Sequence, residues 1–354
     1  MTADVFSTAE VASDTATVRA AAVPEILGRT RDLVQPALRA AVDRLDEGSR
    51  AISAYHLGWT DANGVPTDGN GGKAVRSALA VVSAQAAGAS AEMGVPGAVA
   101  VELVHNFSLV HDDLMDGDTE RRHRPTVWTL WGAANAILTG DAMLALAQEV
   151  VLDSGSPHAI PAGRLLAETT RRLIHGQVLD VSFEQRDDVT LTECVTMAGG
   201  KTGALLSGSA AIGAVLAGAP PEVVDALALF GEEIGLAFQL VDDVLGIWGD
   251  PVVTGKPVYS DLRARKKSLP ITYATSRGGT AGRELAAWLA GQDSGDDADL
   301  ARVAALVESA GGREWAVAEA ARRVATAEQA LSAIPPGPRA DLVAIARFIA
   351  GREA

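Results

Sequence analysis

Two aspartate-rich segments hold the residues best suited to chemistry in this chain: His111-Asp112-Asp113-Leu114-Met115-Asp116 and Gln239-Leu240-Val241-Asp242-Asp243-Val244-Leu245-Gly246. Each follows an apolar, helix-like run. Asp112 and Asp116 are four residues apart, so on a helix their carboxylates leave one face, one turn apart. Carboxylates that close repel each other unless something positive sits between them. Mg2+ fits, because it takes hard oxygen ligands and is usually bound by one or two carboxylates together with substrate phosphates. Two such clusters facing each other across a helical bundle would cage the metal ions of a diphosphate. Helix capping explains neither pair, since the apolar pattern continues upstream of both, and charges set in apolar sequence need partners.

Cations recur near these clusters. Gly71-Gly72-Lys73 with Arg76 puts two of them at the start of a helix, where free backbone N–H groups already favour anions. Arg121-Arg122-His123-Arg124-Pro125 follows the first cluster, and arginine is suited to bidentate phosphate contacts. Lys201-Thr202 follows Gly199-Gly200, Phe238-Gln239 precedes the second cluster, and Lys256, Lys266 and Lys267 come after it. Each of these alone reads equally as a solvated loop or an ordinary helix start. His105 and His111 on the first acidic helix read alone as structural.

The elements that must position these groups are helices. The 354 residues are 48% hydrophobic and only 4% aromatic, without alternating strand-like runs, which favours an all-α protein. The patterns predict helices over 23–53, 73–93, 96–116, 128–153, 161–183, 191–216 and 221–247, with loops at 56–72, 117–125 and 249–260. Residues 1–22 read as a disordered tail and 23–354 as a single helical domain. A net charge of −15 argues against nucleic acid as a partner. The single cysteine, Cys194, excludes an internal disulfide and a cysteine zinc site. With no secretory signal pattern and no apolar run of membrane-spanning length, the expectation is a cytoplasmic protein without stable membrane insertion.

Taken in order, these strings resemble the trans (E-type) polyprenyl diphosphate synthases, from about residue 25 to near the C-terminus. The resemblance rests on Gly71-Gly72-Lys73 with Arg76, Glu102, His105, the first aspartate motif, Arg121-Arg122, Gly140-Asp141, Gly176-Gln177, Lys201-Thr202, Phe238-Gln239, the second motif, Gly255-Lys256-Pro257, and Asp261 with Lys266 and Leu269-Pro270. It implies an isoprenoid-synthase-type helical bundle around a deep central cavity, usually in a homodimer. It implies Mg2+ as cofactor, three ions per active site, with isopentenyl diphosphate and allylic diphosphates as substrates. The metal ligands would be Asp112, Asp116 and Asp242, with Asp113 also in the catalytic set. Arg121, Lys201, Thr202, Gln239, Lys256 and Lys266 would surround the allylic substrate. Lys73, Arg76, His105 and Arg122 would hold the diphosphate of isopentenyl diphosphate.

Two positions depart from the family's pattern. The second motif usually ends in Asp one turn after its first Asp, where this chain has Gly246; Ser77 stands where Pro is common. Phe107 and Ser108, four to five residues before Asp112, lie where such enzymes limit product length. A single bulky Phe there predicts geranylgeranyl diphosphate (twenty carbons), with farnesyl diphosphate (fifteen carbons) as the alternative. Two other functions compete. A class I terpene cyclase has no use for a second diphosphate site of Lys73, Arg76 and Arg122. A non-catalytic subunit of a heteromeric synthase would lose acidic motifs, and Gly246 leans that way while the first motif does not.

Overall fold

The computed structural model describes residues 7–67, 74–251, 257–291 and 295–351, with side chains from Val23 onward. Lys73 and Lys256, both expected in the site, lie outside the described residues.

Helix follows helix. α1 (Ser7–Val42) begins inside the stretch expected to be a tail, where alanines recur. Its later turns bury Val23, Ile26, Leu27, Val34, Leu38, Ala41 and Val42, the three-and-four spacing of one helical face. The helix expected over 23–53 is broken after Val42. Asp46 opens α2 (Glu47–His56) by accepting from the backbone N–H groups of Gly48 and Ser49, each at 3.0 Å. α3 (Val75–Ala86) stops short of Met93. α4 (Val95–Met115) has Pro96 in its first turn, as predicted, and packs along α5 (Val127–Leu152). At Gly132, φ 81° and ψ 163° kink α5, a conformation open only to glycine.

The charged stretch 117–125 is more ordered than a loop. β1 (Glu120–Arg121) and β2 (Arg124–Pro125) pair antiparallel in a small hairpin whose turn residues, Arg122 and His123, have φ of 53° and 61°. Two-residue hairpin turns of type I′ need positive φ at both positions, which side chains other than glycine tolerate at a cost.

α6 (Ala159–Glu184), α7 (Leu191–Ala198), α8 (Ala204–Leu216) and α9 (Pro221–Trp248) follow. Thr190 and Glu193 cap α7 reciprocally. The single helix expected over 191–216 is interrupted by a π-helical turn, Gly199–Gly203. Further helices are Leu269–Ser276, Gly279–Ala290, Asp297–Ser309, Gly312–Ala330 and Pro336–Ala350.

The chain divides into two compact units, each assembled from three stretches. One comprises residues 1–168, 208–228 and 333–345; the other comprises 169–207, 229–332 and 346–354. In the first, Ile52, Val110, Val127 and Ala136 form a buried cluster with Leu114, Trp128 and Trp131 packed against it. In the second, one core gathers Phe183, Cys194, Leu236, Leu240, Val244 and Leu269, and another gathers Ile247, Leu262, Ile271, Leu285 and Val303.

The expectation about membrane-length segments needs correction. Helical residues Ala91–Met115 and Val127–Leu152 are long and apolar enough to cross a membrane by length and composition. The first is 67% buried within the protein, so its apolar character is that of a core helix; the second is 33% buried.

Candidate active site

In the first unit, α4 delivers the first aspartate motif at its C-terminal end. Asp112 lies in the last turn and Asp116 is the residue after it, its N–H bonded to the carbonyl of Asp112. No basic residue occupies that turn. A helix C-terminus carries partial negative charge, so two carboxylates there favour a cation. Among the described residues no group of three or more histidine, cysteine, aspartate or glutamate side chains forms a closed metal cage. An open pair of carboxylates is nonetheless the donor set that suits Mg2+ bound partly by phosphate.

Asp113 takes a different direction. It is buried, and its Oδ1 accepts from Arg121 Nε at 2.6 Å. Burial pushes its carboxyl above the usual range, opposed by Arg121. Its second oxygen has no hydrogen-bond partner. Expected in the catalytic set, Asp113 here anchors the hairpin that carries Arg121.

His111 explains another part of the motif. Its ring stands edge-on to Phe107, centroids 5.0 Å apart, and its Nε2 lies 3.1 Å from the carbonyl oxygen of Ile137. The ring also lies against the backbone of Gly140, where any β-carbon would overlap it. That is a packing reason for the Gly140-Asp141 string. Phe107 is buried, and the Ser108 hydroxyl is spent on the carbonyl of His105 at 2.8 Å.

The cations of this unit converge around Arg76, His105 and Arg122. Desolvation presses down on the pKa of Arg76, as does Arg122, while Glu102 pulls it up. The Nε of Arg76 is buried and has no acceptor. A buried donor left unpaired costs about 1–3 kcal/mol, which an arriving anion would relieve. His105 is held well below its ordinary value by burial and then by Arg76 and Arg122, so it is neutral. Ser77, the departure from proline, donates its hydroxyl to Glu102 Oε1 at 2.6 Å and so fixes the carboxylate that faces Arg76 and Arg122.

Sequence reasoning missed His56. Burial pushes it down to about 3, helped by Arg121 and Arg122, while a hydrogen bond with Asn106 opposes the shift. With Tyr55, Asp113, Arg121, Arg122 and Arg124 it lines a cavity of about 150 Å³. In the sequence it stood as the first residue of the expected loop 56–72, whereas the structure makes it the last residue of α2. Because its folded pKa lies below the unfolded value, His56 contributes stability that is complete above about pH 6.5 and is lost as pH falls toward 3. Urea midpoints of the wild type are expected to fall between pH 7.5 and 5, and His56→Gln should lose less over that interval. An equal loss in both would remove His56 as the source.

In the second unit, small residues bring the groups together. Gly176 on α6 meets the backbone of the π turn so closely that a β-carbon would collide with Lys201 N, and Gly200 meets Gly176 in return. One turn along α6 from Gly176, Asp180 accepts from Lys201 Nζ at 2.6 Å. Asp180 was also missed, although it ends the stretch that Gly176-Gln177 begins. The Gln177 amide is buried without a partner at either end.

A relay runs from the π turn to the second motif. Thr202 Oγ1 donates to Gln239 Oε1 at 2.7 Å, Gln239 Nε2 donates to Asp243 Oδ1 at 2.8 Å, and the Leu269 N–H donates to Asp243 Oδ2 at 2.9 Å. Burial pushes Asp243 up to about 7 against the pull of Lys266. Desolvation works against charge on Lys266, but Asp243, Asp261, Asp180 and Asp242 outweigh it and raise its pKa. Each paired-aspartate motif therefore commits its second member to the interior, while Asp112 and Asp242 are only half-buried.

A helical fold, an aspartate pair in each unit and desolvated cations beside them define a class of enzymes that handle diphosphates. Residues 67–307 match the polyprenyl synthetase family, and the chain belongs to that family. It is a prenyltransferase of the short-chain trans-prenyl diphosphate synthase group. It is 56% identical over 334 residues to a (2E,6E)-farnesyl diphosphate synthase of Mycobacterium tuberculosis H37Rv, covering 93% of each chain. It is 42% identical over 330 residues to a geranylgeranyl diphosphate synthase of the same strain, again covering 93% of each. The crystal structure of a polyprenyl synthetase from Streptomyces coelicolor A3(2) is 53% identical and superposes with a TM-score of 0.89, over 92% of this chain and 99% of that one.

Proposed function

We propose that the chain condenses isopentenyl diphosphate with allylic diphosphates to make farnesyl diphosphate, using Mg2+. The observation that carries the diphosphate reading is the buried, acceptor-less Nε of Arg76 beside neutral His105 and Arg122. The shorter product replaces the twenty-carbon expectation. The 56% relative is named a farnesyl diphosphate synthase and the geranylgeranyl enzyme stands at 42%. Phe107, braced by His111, suits an early limit to growth.

In this reading Arg76, His105 and Arg122 hold the diphosphate of isopentenyl diphosphate, with Lys73 as a fourth partner. Neutral His105 gives a hydrogen bond without adding charge. Asp112, Asp116 and Asp242 are the metal ligands. They would hold Mg2+, three ions when fully loaded, which would offset charge on the allylic diphosphate and make it a better leaving group. Arg121, Lys201, Thr202, Gln239, Lys256 and Lys266 serve that same diphosphate, and cations placed where charge develops stabilise the transition state. The allylic C–O bond breaks, the double bond of isopentenyl diphosphate attacks the carbocation, and a proton leaves to the departed diphosphate. No covalent nucleophile is needed.

The test is product analysis of the purified protein given Mg2+, isopentenyl diphosphate and, separately, five-, ten- and fifteen-carbon allylic diphosphates. Farnesol after dephosphorylation supports the proposal. No elongation from folded protein would favour the partner-dependent subunit, and a cyclic hydrocarbon from one allylic substrate a cyclase. Phe107→Ala should shift product toward twenty carbons or longer; an unchanged spectrum would clear Phe107 of that role.

A homodimer is part of the proposal. Leu130, Ile137 and Leu138 on α5 are 42%, 45% and 62% exposed, large apolar side chains of the kind a partner copy would cover. Sedimentation equilibrium should give twice the chain mass; a monomer at micromolar concentration would refute it.

A further inference from the structure

The hairpin after the first motif carries an unfavourable turn, and the fold grips it from two sides. Arg122 and His123 both sit at positive φ, 53° and 61°, with glycine at neither place. Such a backbone persists where its surroundings over-determine it. On β1 the grip is Arg121, whose Nε donates to buried Asp113 at 2.6 Å. On β2 it is Arg124, which reaches a distant stretch of chain. One terminal nitrogen of Arg124 donates to the Tyr55 carbonyl at 3.0 Å, and the other donates to the Thr60 carbonyl at 2.7 Å. The guanidinium lies over the Tyr55 ring, 4.0 Å from its centroid, and the Tyr55 hydroxyl donates back to the Pro125 carbonyl at 2.8 Å. Both anchor points are themselves fixed. Tyr55 is buried, its ring edge-on to Trp131 with centroids 4.9 Å apart. Thr60 belongs to a closed loop, in which Thr67 donates from its N–H to the Trp59 carbonyl at 3.0 Å and from its hydroxyl to the Gly58 carbonyl at 2.7 Å.

We propose that Arg124 is a positioning residue for isopentenyl diphosphate: by clamping β2 to the end of α2 it holds the strained turn, and with it Arg122, where the diphosphate is met. The two grips differ in kind. Asp113 offsets the charge of Arg121, whereas two carbonyls and an aromatic face hold Arg124 without cancelling its charge. Arg124 therefore fixes the turn and still adds positive potential to the cavity it lines with His56, Arg121 and Arg122. The planar fork is what the clamp needs, because a lysine ammonium is a point charge that cannot match two diverging acceptors and a ring face at once. Arg121 keeps its own tether to Asp113, so loosening β2 should disturb the allylic diphosphate less than isopentenyl diphosphate.

The inference rests on the assignment of Arg122 to isopentenyl diphosphate, and the experiment separates the two. Initial rates would be measured with isopentenyl diphosphate and a ten-carbon allylic diphosphate varied in turn, for the wild type, Arg124→Gln, Arg124→Lys, Tyr55→Phe and the double variant Arg124→Gln with His123→Gly. The rise in Tm on adding isopentenyl diphosphate would be recorded in parallel. Arg124→Gln should raise the KM for isopentenyl diphosphate about tenfold, more than it changes kcat or the allylic KM, and should shrink the Tm rise. Arg124→Lys should fall close to Arg124→Gln, and Tyr55→Phe should raise the same KM roughly threefold. Glycine at 123 adopts positive φ without strain, so the double variant should recover at least about threefold over Arg124→Gln. A wild type that gains no Tm from isopentenyl diphosphate and condenses nothing would overturn the functional reading. An active wild type whose Arg124→Gln variant keeps its KM for isopentenyl diphosphate, or raises both KM values equally, would overturn the role of Arg124 alone. A double variant no better than Arg124→Gln would overturn the strained turn as the link. Tyr55→Phe loses a single hydroxyl, so an unchanged KM there decides against the clamp even if Arg124→Gln does not fold.

Discussion

Asp112→Asn is expected to lower the condensation rate about a thousandfold, corresponding to about 4 kcal/mol of lost transition-state stabilisation. The half-saturating Mg2+ should rise, and Tm should hold or increase, because a negative charge at the C-terminal turn of α4 is removed. Asp113→Asn, one residue away, should behave in the opposite sense. Its carboxylate is buried on Arg121, so the variant should lose stability and loosen the hairpin while its Mg2+ requirement stays close to wild type. Steady-state rates at varied Mg2+ and a thermal melt of both variants check the pair. Equal effects on Mg2+ dependence would show that the two aspartates are not divided between ligand and anchor.

Arg76→Met should raise the KM for isopentenyl diphosphate roughly 10- to 100-fold, the loss of one charged hydrogen-bonding group at about 1.5–3 kcal/mol. The KM for the allylic diphosphate should change little. Stability should not fall and could be measured to rise, since the variant removes a desolvated cation and a buried donor without an acceptor. Initial rates with each substrate varied in turn, together with a melt, provide the check. A parallel rise in both KM values would place Arg76 outside a dedicated isopentenyl diphosphate site.

Much of this was readable before any coordinates. Helical periodicity and the proline at 96 located α4, and α5, α6 and α9 fell within a few residues of their predicted spans, because an amphipathic or apolar face repeats locally and capping residues are local too. The order of the short strings pointed to the family, and the spacing of Asp112 and Asp116 pointed to a divalent cation. Where the chain turned out otherwise, the cause was usually a distant neighbour or a local backbone requirement. The stretch 117–125 became a hairpin because Arg122 and His123 accept positive φ, and the helix over 191–216 acquired a π turn where Gly200 meets Gly176.

The sequence by itself determined the helical class and the family, because residue type and periodic spacing are properties of short segments. Only the tertiary structure decided which member of each aspartate pair turns inward, that His56 and Asp180 join the charged clusters, and that Gly140 makes room for His111. Burial, desolvation and steric room depend on residues tens of positions away, and no short segment encodes them.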